Sequence, residues 1–386
     1  MALHFERAEY AGRQAKARAA LREQGLDALL VFSQESHYWL TGFDSSGYVF
    51  FQVGVLTADD RPYVLLTRRP DLEQARLTSV IEDVRLWFDK EGVDPARDLR
   101  AILAELGLRG ARVGIELNTY GLTPVNWDRV RKALARFCRL EDASNLIRYL
   151  RVIKSPAEHG YVRRAAALCD DALDALLATA KPGVVEGQVG AAMAAAILKG
   201  GGDWASDLGV LGVGERALLA RASAGAQTLG QRDQLTAEYS ASVMRYHACL
   251  MRTVAIGAGD PRQERMFHAT RDALQAMTEA VRPGRPLGEV DDAHRRVFDA
   301  AGYEHARFAA CGYSLGATFK PSWMDVPPML YSGNPWPAEP GMVLFLHAIL
   351  ADRTTGLAMS AGHTVIVGPG GAEVLSKRPL AYHVCR

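Results

Sequence analysis

Several side chains that can do chemistry stand in otherwise apolar or turn-forming stretches of this 386-residue chain. His347 lies in Leu344-Phe345-Leu346-His347-Ala348. A neutral imidazole there can activate water, because its pKa lies near working pH. The alternative is a core histidine satisfied by a backbone carbonyl. Glu238 lies in Leu235-Thr236-Ala237-Glu238-Tyr239. A desolvated carboxylate there can grip a cationic amidine or guanidinium, or act as a base with a raised pKa. A solvent-facing strand acid is the alternative. His247 and Cys249 are two residues apart, on one face if the segment is a strand, which invites a nucleophile pair; Cys249 as mere filler is the stronger alternative. Tyr313 in a glycine-rich turn can donate its phenol to a carbonyl or carboxylate, or simply pack. Trp323 and Asp325 flank Met324 in a proline-rich stretch, and an aromatic with a carboxylate suits a small cationic substrate. An exposed loop acid is the default for Asp325.

The elements that must position these groups form two blocks. Residues 6–24 predict a surface helix and Ala28 to Phe32 a buried strand. Val49 to Leu56 and Tyr63 to Leu66 predict two more strands across a polar turn. Helices are expected over 96–107 and 124–137, with a strand at Arg112 to Ile115 between them. The order implies an α/β domain over 1–150 with a mixed sheet. Ser155 as N-cap and Pro156 at the first helical position open a second domain over 151–386. Its helices are expected over 157–180, 186–199, 261–281 and 288–302, each pair followed by strands, an internally duplicated α+β pattern.

Composition narrows the function. Lys and Arg number 45 against 44 Asp and Glu, a net charge of +1. That excludes a chain built to coat nucleic acid or an anionic membrane. Five scattered cysteines without a CxxC pair exclude a disulfide framework and a zinc ribbon, and fit reduced thiols in the cytoplasm. The charged N-terminus lacks the apolar core of a signal peptide, and no run approaches 18 apolar residues.

An ordered set of motifs resembles the creatinase/prolidase/methionine aminopeptidase ("pita-bread") superfamily over nearly the whole chain. His37 to Phe43 resembles its YLTGF segment. Leu150 to Glu158 resembles its LRxxKSPxE linker, Met251-Arg252-Thr253 its TRT strand and Gly312 to Gly316 its GHGxG turn. Glu339 to Val343 and Gly362 to Val367 complete the series. The resemblance implies an α/β creatinase-like N-terminal domain and an α+β pita-bread C-terminal domain with an internal pseudo-twofold duplication.

Metal-dependent members hold two divalent cations with two Asp, one His and two Glu. The resemblance places Glu238, Cys249, Tyr313, His347 and Gly362 at those five positions. One carboxylate remains of four, and a dinuclear centre without bridging carboxylates is chemically implausible. No metal and no cofactor are therefore expected. The closer likeness is to the metal-free ectoine hydrolase and creatinase side. Arg245 to Thr253 resembles RYHCPLxRT, and Gly312-Tyr313-Ser314-Leu315-Gly316 resembles GYSIG. The chain departs from that group in having no histidine between Gly212 and Asp233.

The resemblance implies metal-independent hydrolysis of a C–N bond, amidine, guanidino or amide-like, in a small amino-acid-derived substrate. His347 is assigned as general base, Glu238 as cation holder and Tyr313 as oxyanion donor. Cys249, His247, Asp325 and Trp323 are assigned to substrate. His363, beside the fifth position, is expected to point away by strand alternation. The alternatives are a biosynthetic lyase or cyclase and a catalytically dead binding protein, with a metal-dependent Xaa-Pro peptidase last. The likeness also implies a homodimer in which residues 43–48 reach the partner's pocket, offering Asp44 or Tyr48.

Overall fold

A computed structural model describes residues 3–207 and 209–386. The chain divides into two compact units, one ending at Arg151 and the other beginning at Val152.

The first unit carries strands β1 (Ala28–Val31), β2 (Val53–Thr57), β3 (Val64–Arg68), β4 (Asp83–Trp87), β5 (Arg112–Ile115) and β6 (Arg139–Asp142). They form one mixed sheet in the order β4-β3-β2-β1-β5-β6. Its helices are α1 (Arg7–Glu23), α2 (Gln34–Thr41), α3 (Leu72–Thr78), α4 (Pro95–Glu105), α5 (Pro124–Leu134) and α6 (Leu146–Leu150). Helix α2 holds the segment His37 to Thr41, buried throughout. Gly42 ends it at φ 83°, and a Cβ there would stand 2.8 Å from the Thr78 carbonyl oxygen. The strand expected from Val49 starts only at Val53, because Gly47–Val49 is a 3-10 turn.

The second unit opens with helices α7 (Pro156–Thr179) and α8 (Glu186–Lys199), then strands β7 (Val210–Val213), β8 (Arg232–Val243) and β9 (Tyr246–Gly257). Helices α9 (Pro261–Ala280) and α10 (Gly288–Ala300) follow. Strands β10 (Gly312–Leu315), β11 (Met324–Leu330), β12 (Val343–Asp352), β13 (Leu357–Gly368), β14 (Gly371–Val374) and β15 (Val384–Cys385) complete it. The helix–helix–strands order thus occurs twice. The Ser155 hydroxyl accepts the Glu158 N–H while the Glu158 carboxylate accepts the Ser155 N–H, a capping box that starts α7.

The two sets of strands join in one sheet of order β11-β10-β12-β13-β9-β8-β7. The halves meet where β13 runs antiparallel to β9, Gly362 opposite Met251. Alternation along β12 sorts its side chains. Leu344, Leu346, Ala348 and Leu350 join the core cluster that also contains Met266, Leu274, Val290 and Phe298 of α9 and α10. Phe345, His347 and Ile349 therefore face the other side of the sheet. That second face carries the candidate site. Arg252 braces the central seam, its Nη1 donating to the carbonyls of Met251 and Gly362 at 2.7 and 2.8 Å.

Candidate active site

Glu238 of β8, Tyr313 of β10 and His347 of β12 line one cavity of about 350 Å3 with Trp323 and Arg221. Register explains the convergence. Tyr313 pairs with Phe345, His347 with Gly362, Gly362 with Met251, and Met251 with Glu238. Paired residues in adjacent strands present side chains to the same face. The five positions named from the sequence thus share one face across five strands.

The polar contacts form a chain. Trp323 Nε1–H donates to the Tyr313 hydroxyl at 2.7 Å, and that hydroxyl donates to Glu238 Oε1 at 3.0 Å. Tyr313 therefore directs its single proton at Glu238. The oxyanion role assigned to it from the sequence does not match this resting arrangement. Burial raises the Glu238 pKa and outweighs the Tyr313 hydrogen bond and the Arg221 charge, which act the other way. Burial likewise pushes His347 down to about 4, so its ring is neutral at neutral pH. His347 Nδ1 is buried and has no hydrogen-bond partner among the described residues. The His347 ring stands 5.8 Å from Tyr313 and 5.5 Å from Phe345, centroid to centroid.

Other residues named from the sequence lie elsewhere. His247 is fully buried with both nitrogens engaged: Nε2 accepts the Ser206 N–H at 3.1 Å, and Nδ1 lies 3.1 Å from the Thr318 hydroxyl. Neither contacts Cys249, whose thiol is pushed well above its usual range by burial. The two share a strand face, but the nucleophile pair is not formed, and neither lines the cavity. Asp325 sits in strand β11, not in a loop. Its carboxylate lies 3.7 Å from the buried Lys154 ammonium, so it faces a structural cation while its neighbours Trp323 and Met324 line the cavity. His363 points to the helix side, where Nε2 lies 3.0 Å from the Thr278 hydroxyl of α9. In the first unit Asp44 is half-buried and Tyr48 is buried, while the next two residues, Val49 and Phe50, are exposed.

Arg221 is the residue that sequence reasoning missed. It stands in the stretch between Gly212 and Asp233, which searched for a histidine shows nothing. Searched for a cation it shows Arg216, Arg221 and Arg232, and of these only Arg221 lines the cavity with Glu238. Arg221 is the one permanently charged cation among the described lining residues of the cavity.

This donor set does not fit a pair of divalent cations. A Cβ on Gly362 would stand 2.7 Å from the Phe345 ring, so the fifth ligand position is filled by an aromatic side chain. The Glu238 carboxylate is bound to a phenol, and Cys249 is held as a thiol. Among the described residues no group of three or more His, Cys, Asp or Glu is placed to hold a metal ion.

Comparison with known proteins fits this architecture. The model of metallopeptidase family M24 matches residues 160–369, and that of the creatinase/prolidase N-terminal domain matches residues 13–153. The chain belongs to the M24 family, with a creatinase-type domain ahead of the pita-bread unit. Its relatives include the ectoine hydrolase of Halomonas elongata, 24 % identical and aligned over 98 % of both chains. An uncharacterized hydrolase/peptidase of Sinorhizobium fredii, y4tM, is 27 % identical over 98 % of this chain and 97 % of its own. The Xaa-Pro dipeptidase of Pyrococcus furiosus is 20 % identical over 92 % and 94 %. Among solved structures, the dipeptidase PepE of Mycobacterium ulcerans superposes with a TM-score of 0.84 at 24 % identity, covering 99 % of each chain. No helix among the described residues is long and apolar enough to cross a membrane.

Proposed function

We propose that this protein hydrolyses, without a metal ion, an amidine, guanidino or amide-like C–N bond in a small amino-acid-derived substrate. The observation that carries this reading is the meeting of Glu238, Tyr313, His347 and Arg221 in one cavity of about 350 Å3. A carboxylate and a guanidinium facing one space suit a zwitterion: Glu238 takes its cationic end and Arg221 its carboxylate. Tyr313 and Trp323 hold Glu238 in place. The absence of a fitting cation donor set supports the metal-independent route, and the ectoine hydrolase relative supports the bond class.

The reaction follows from these positions. His347 takes a proton from water as the water oxygen bonds to the electrophilic carbon. The C–N bond then breaks, and the departing nitrogen takes that proton from the imidazolium. The low His347 pKa keeps the imidazole unprotonated at neutral pH but makes it a weaker base than the sequence reading expected, and a substrate carboxylate bound in the cavity would raise it. We include in this proposal a cytoplasmic homodimer whose 43–48 segment borders the partner's cavity.

The binding-only reading draws on one observation. Among the described residues His347 Nδ1 has no partner to fix its tautomer, whereas catalytic imidazoles are commonly held by one.

A thermal-shift screen with guanidino acids, cyclic amidines, N-acyl diamino acids and imino-acid dipeptides separates the readings, since a ligand bound to the folded state alone raises Tm. The expected result is a stabilising guanidino or amidino acid that is then turned over with release of ammonia or amine. His347→Ala should lower that turnover about 10²–10⁴-fold with binding retained. Stabilisation without turnover supports the binding-only reading, and near-normal turnover by His347→Ala overturns the mechanism.

A further inference from the structure

The charged and the large apolar lining of the Glu238 cavity come from different halves of the duplicated unit. Asp207, Arg221 and Glu238 belong to the first half and are the only Asp, Glu, Lys or Arg among the described lining residues. The second half brings no such group. It supplies Phe308, Met324, Met329 and Ile349, beside Tyr313 and His347.

Register fixes this apolar wall. Ahead of β10, the stretch 306–308 runs antiparallel to β12. The Ala351 N–H donates to the Ala306 carbonyl at 2.9 Å and the Phe308 N–H to the Ile349 carbonyl at 3.4 Å. Arg307 and Leu350 stand opposite each other there. Both belong to the helix side: Leu350 joins the core cluster, and Arg307 pairs with Asp299 of α10 at 2.6 Å. The next pair, Phe308 and Ile349, therefore faces the cavity. Met329 lies opposite Tyr313 on the edge strand β11. Phe308, Met324 and Ile349 are only half-buried, and Met329 keeps 36 % of its surface exposed. Covering such surface with an apolar group is favourable, and a wholly polar ligand leaves it wet.

We propose that the substrate is a guanidino or amidino acid with an apolar side chain of leucine or phenylalanine size, selected by Phe308 and Ile349. The inference rests on the placement of the two substrate charges proposed above, and adds the side chain to it. Ile349 is two residues from His347 on the same face of β12, about 7 Å along the strand. A substrate held at Glu238 and Arg221, with its reacting carbon at His347, thus has its side chain within reach of the Phe308–Ile349 wall. An acidic side chain there would be desolvated with no cation from the second half to pair it. A hydrophobic pocket separates ligands differing by one methylene about 10–200-fold, so an isobutyl or benzyl group gives a measurable margin.

Four guanidino acids test it by titration calorimetry on the full chain: guanidinoacetate and the N-amidino derivatives of leucine, phenylalanine and aspartate. The better of the two apolar derivatives should bind at least about 10-fold more tightly than guanidinoacetate, and the aspartate derivative more weakly than either apolar one. Phe308→Ala and Ile349→Ala should each cut the ratio of apolar-derivative to guanidinoacetate affinity severalfold. Ile349→Trp, which fills the space beside the wall, should invert that ratio. Urea midpoints identify the variants that fold, and the two alanine variants decide if the tryptophan one does not. The proposal is overturned if an apolar side chain brings no gain over guanidinoacetate, or if the aspartate derivative binds as tightly. It is equally overturned if none of the four binds, or if the folded alanine variants keep the parent's ratio. Preferential binding without turnover sinks the hydrolytic reading and leaves this inference standing, and turnover without the preference does the reverse.

Discussion

The Phe345 ring covers Gly362: a Cβ on that glycine would stand 2.7 Å from Phe345 Cζ and 2.8 Å from the Leu346 carbonyl oxygen. The residue pair replaces a ligand position by a packed aromatic, and the fit depends on the missing side chain. Gly362→Ala should therefore lose about 1–3 kcal/mol of stability by overpacking, read from urea unfolding. Phe345→Ala should lose more, by leaving a cavity. The double variant should be less destabilised than the sum, because removing the ring makes room for the methyl group. Strict additivity would show that the two positions are independent. The Leu346 carbonyl remains in place, so the rescue is partial.

Tyr313→Phe removes the proton that Glu238 accepts and the oxygen that Trp323 donates to. The hydrogen bond favours the charged carboxylate, so its loss should raise the Glu238 pKa further. A carboxyl whose folded pKa lies above its unfolded value is stabilising when protonated, and that stability falls as pH rises through the folded pKa. The variant should accordingly lose about 1–3 kcal/mol for the unpaired groups. Its decline in urea midpoint should also continue to higher pH than in the parent. A decline ending at the same pH in both would argue that Tyr313 does not sense Glu238 ionisation.

Buried histidines contribute on the acid side. Burial lowers His247 and His347 from 6.5 to about 4, and His363 to about 3. Each has a folded pKa below its unfolded value, so the unfolded chain binds more protons between about 6.5 and about 3. Their contribution is complete above pH 6.5 and falls as pH drops through that window. His363→Gln keeps a polar partner for Thr278 but removes one titrating group. It should flatten the pH dependence of stability there by up to about 1.4 kcal/mol per pH unit. An unchanged slope would place the titrating groups elsewhere.

Part of the site was legible through ordered motifs and part through the two-residue period of strands. Glu238, Tyr313 and His347 fall at positions that the family resemblance groups together, and the fold brings them into one cavity. The same period misled at His247 and Cys249. Sharing a face does not put two side chains in contact, and His247 is drawn to Ser206 and Thr318 instead. Asp325 read as a loop acid because Pro327 and Pro328 argue against a strand. Strand β11 lies at the sheet edge, where missing N–H donors are tolerated. Helix α2 carried no amphipathic signal, since nearly every residue in it is buried. Arg221 lies outside any regular element, and only the folded cavity wall relates it to Glu238.

Metal content gives the last test. Glu238 is hydrogen-bonded to Tyr313, Cys249 is a high-pKa thiol, and Phe345 fills the place beside Gly362. Hard and borderline cations need several oxygen or imidazole donors converging on one point, and a dinuclear pair needs bridging carboxylates. Protein purified without chelator should hold well under one equivalent of Mn, Co or Zn by elemental analysis. Dialysis against EDTA should leave Tm unchanged, and added metal should not raise it as a ligand of the folded state would. Turnover of any substrate found in the thermal-shift screen should survive the same dialysis. Two equivalents of metal, removed with a fall in Tm and restored with its recovery, would show that these positions ligate after all. The hydrolytic reading would then have to be rebuilt around a cation, with His347 a ligand and not a base.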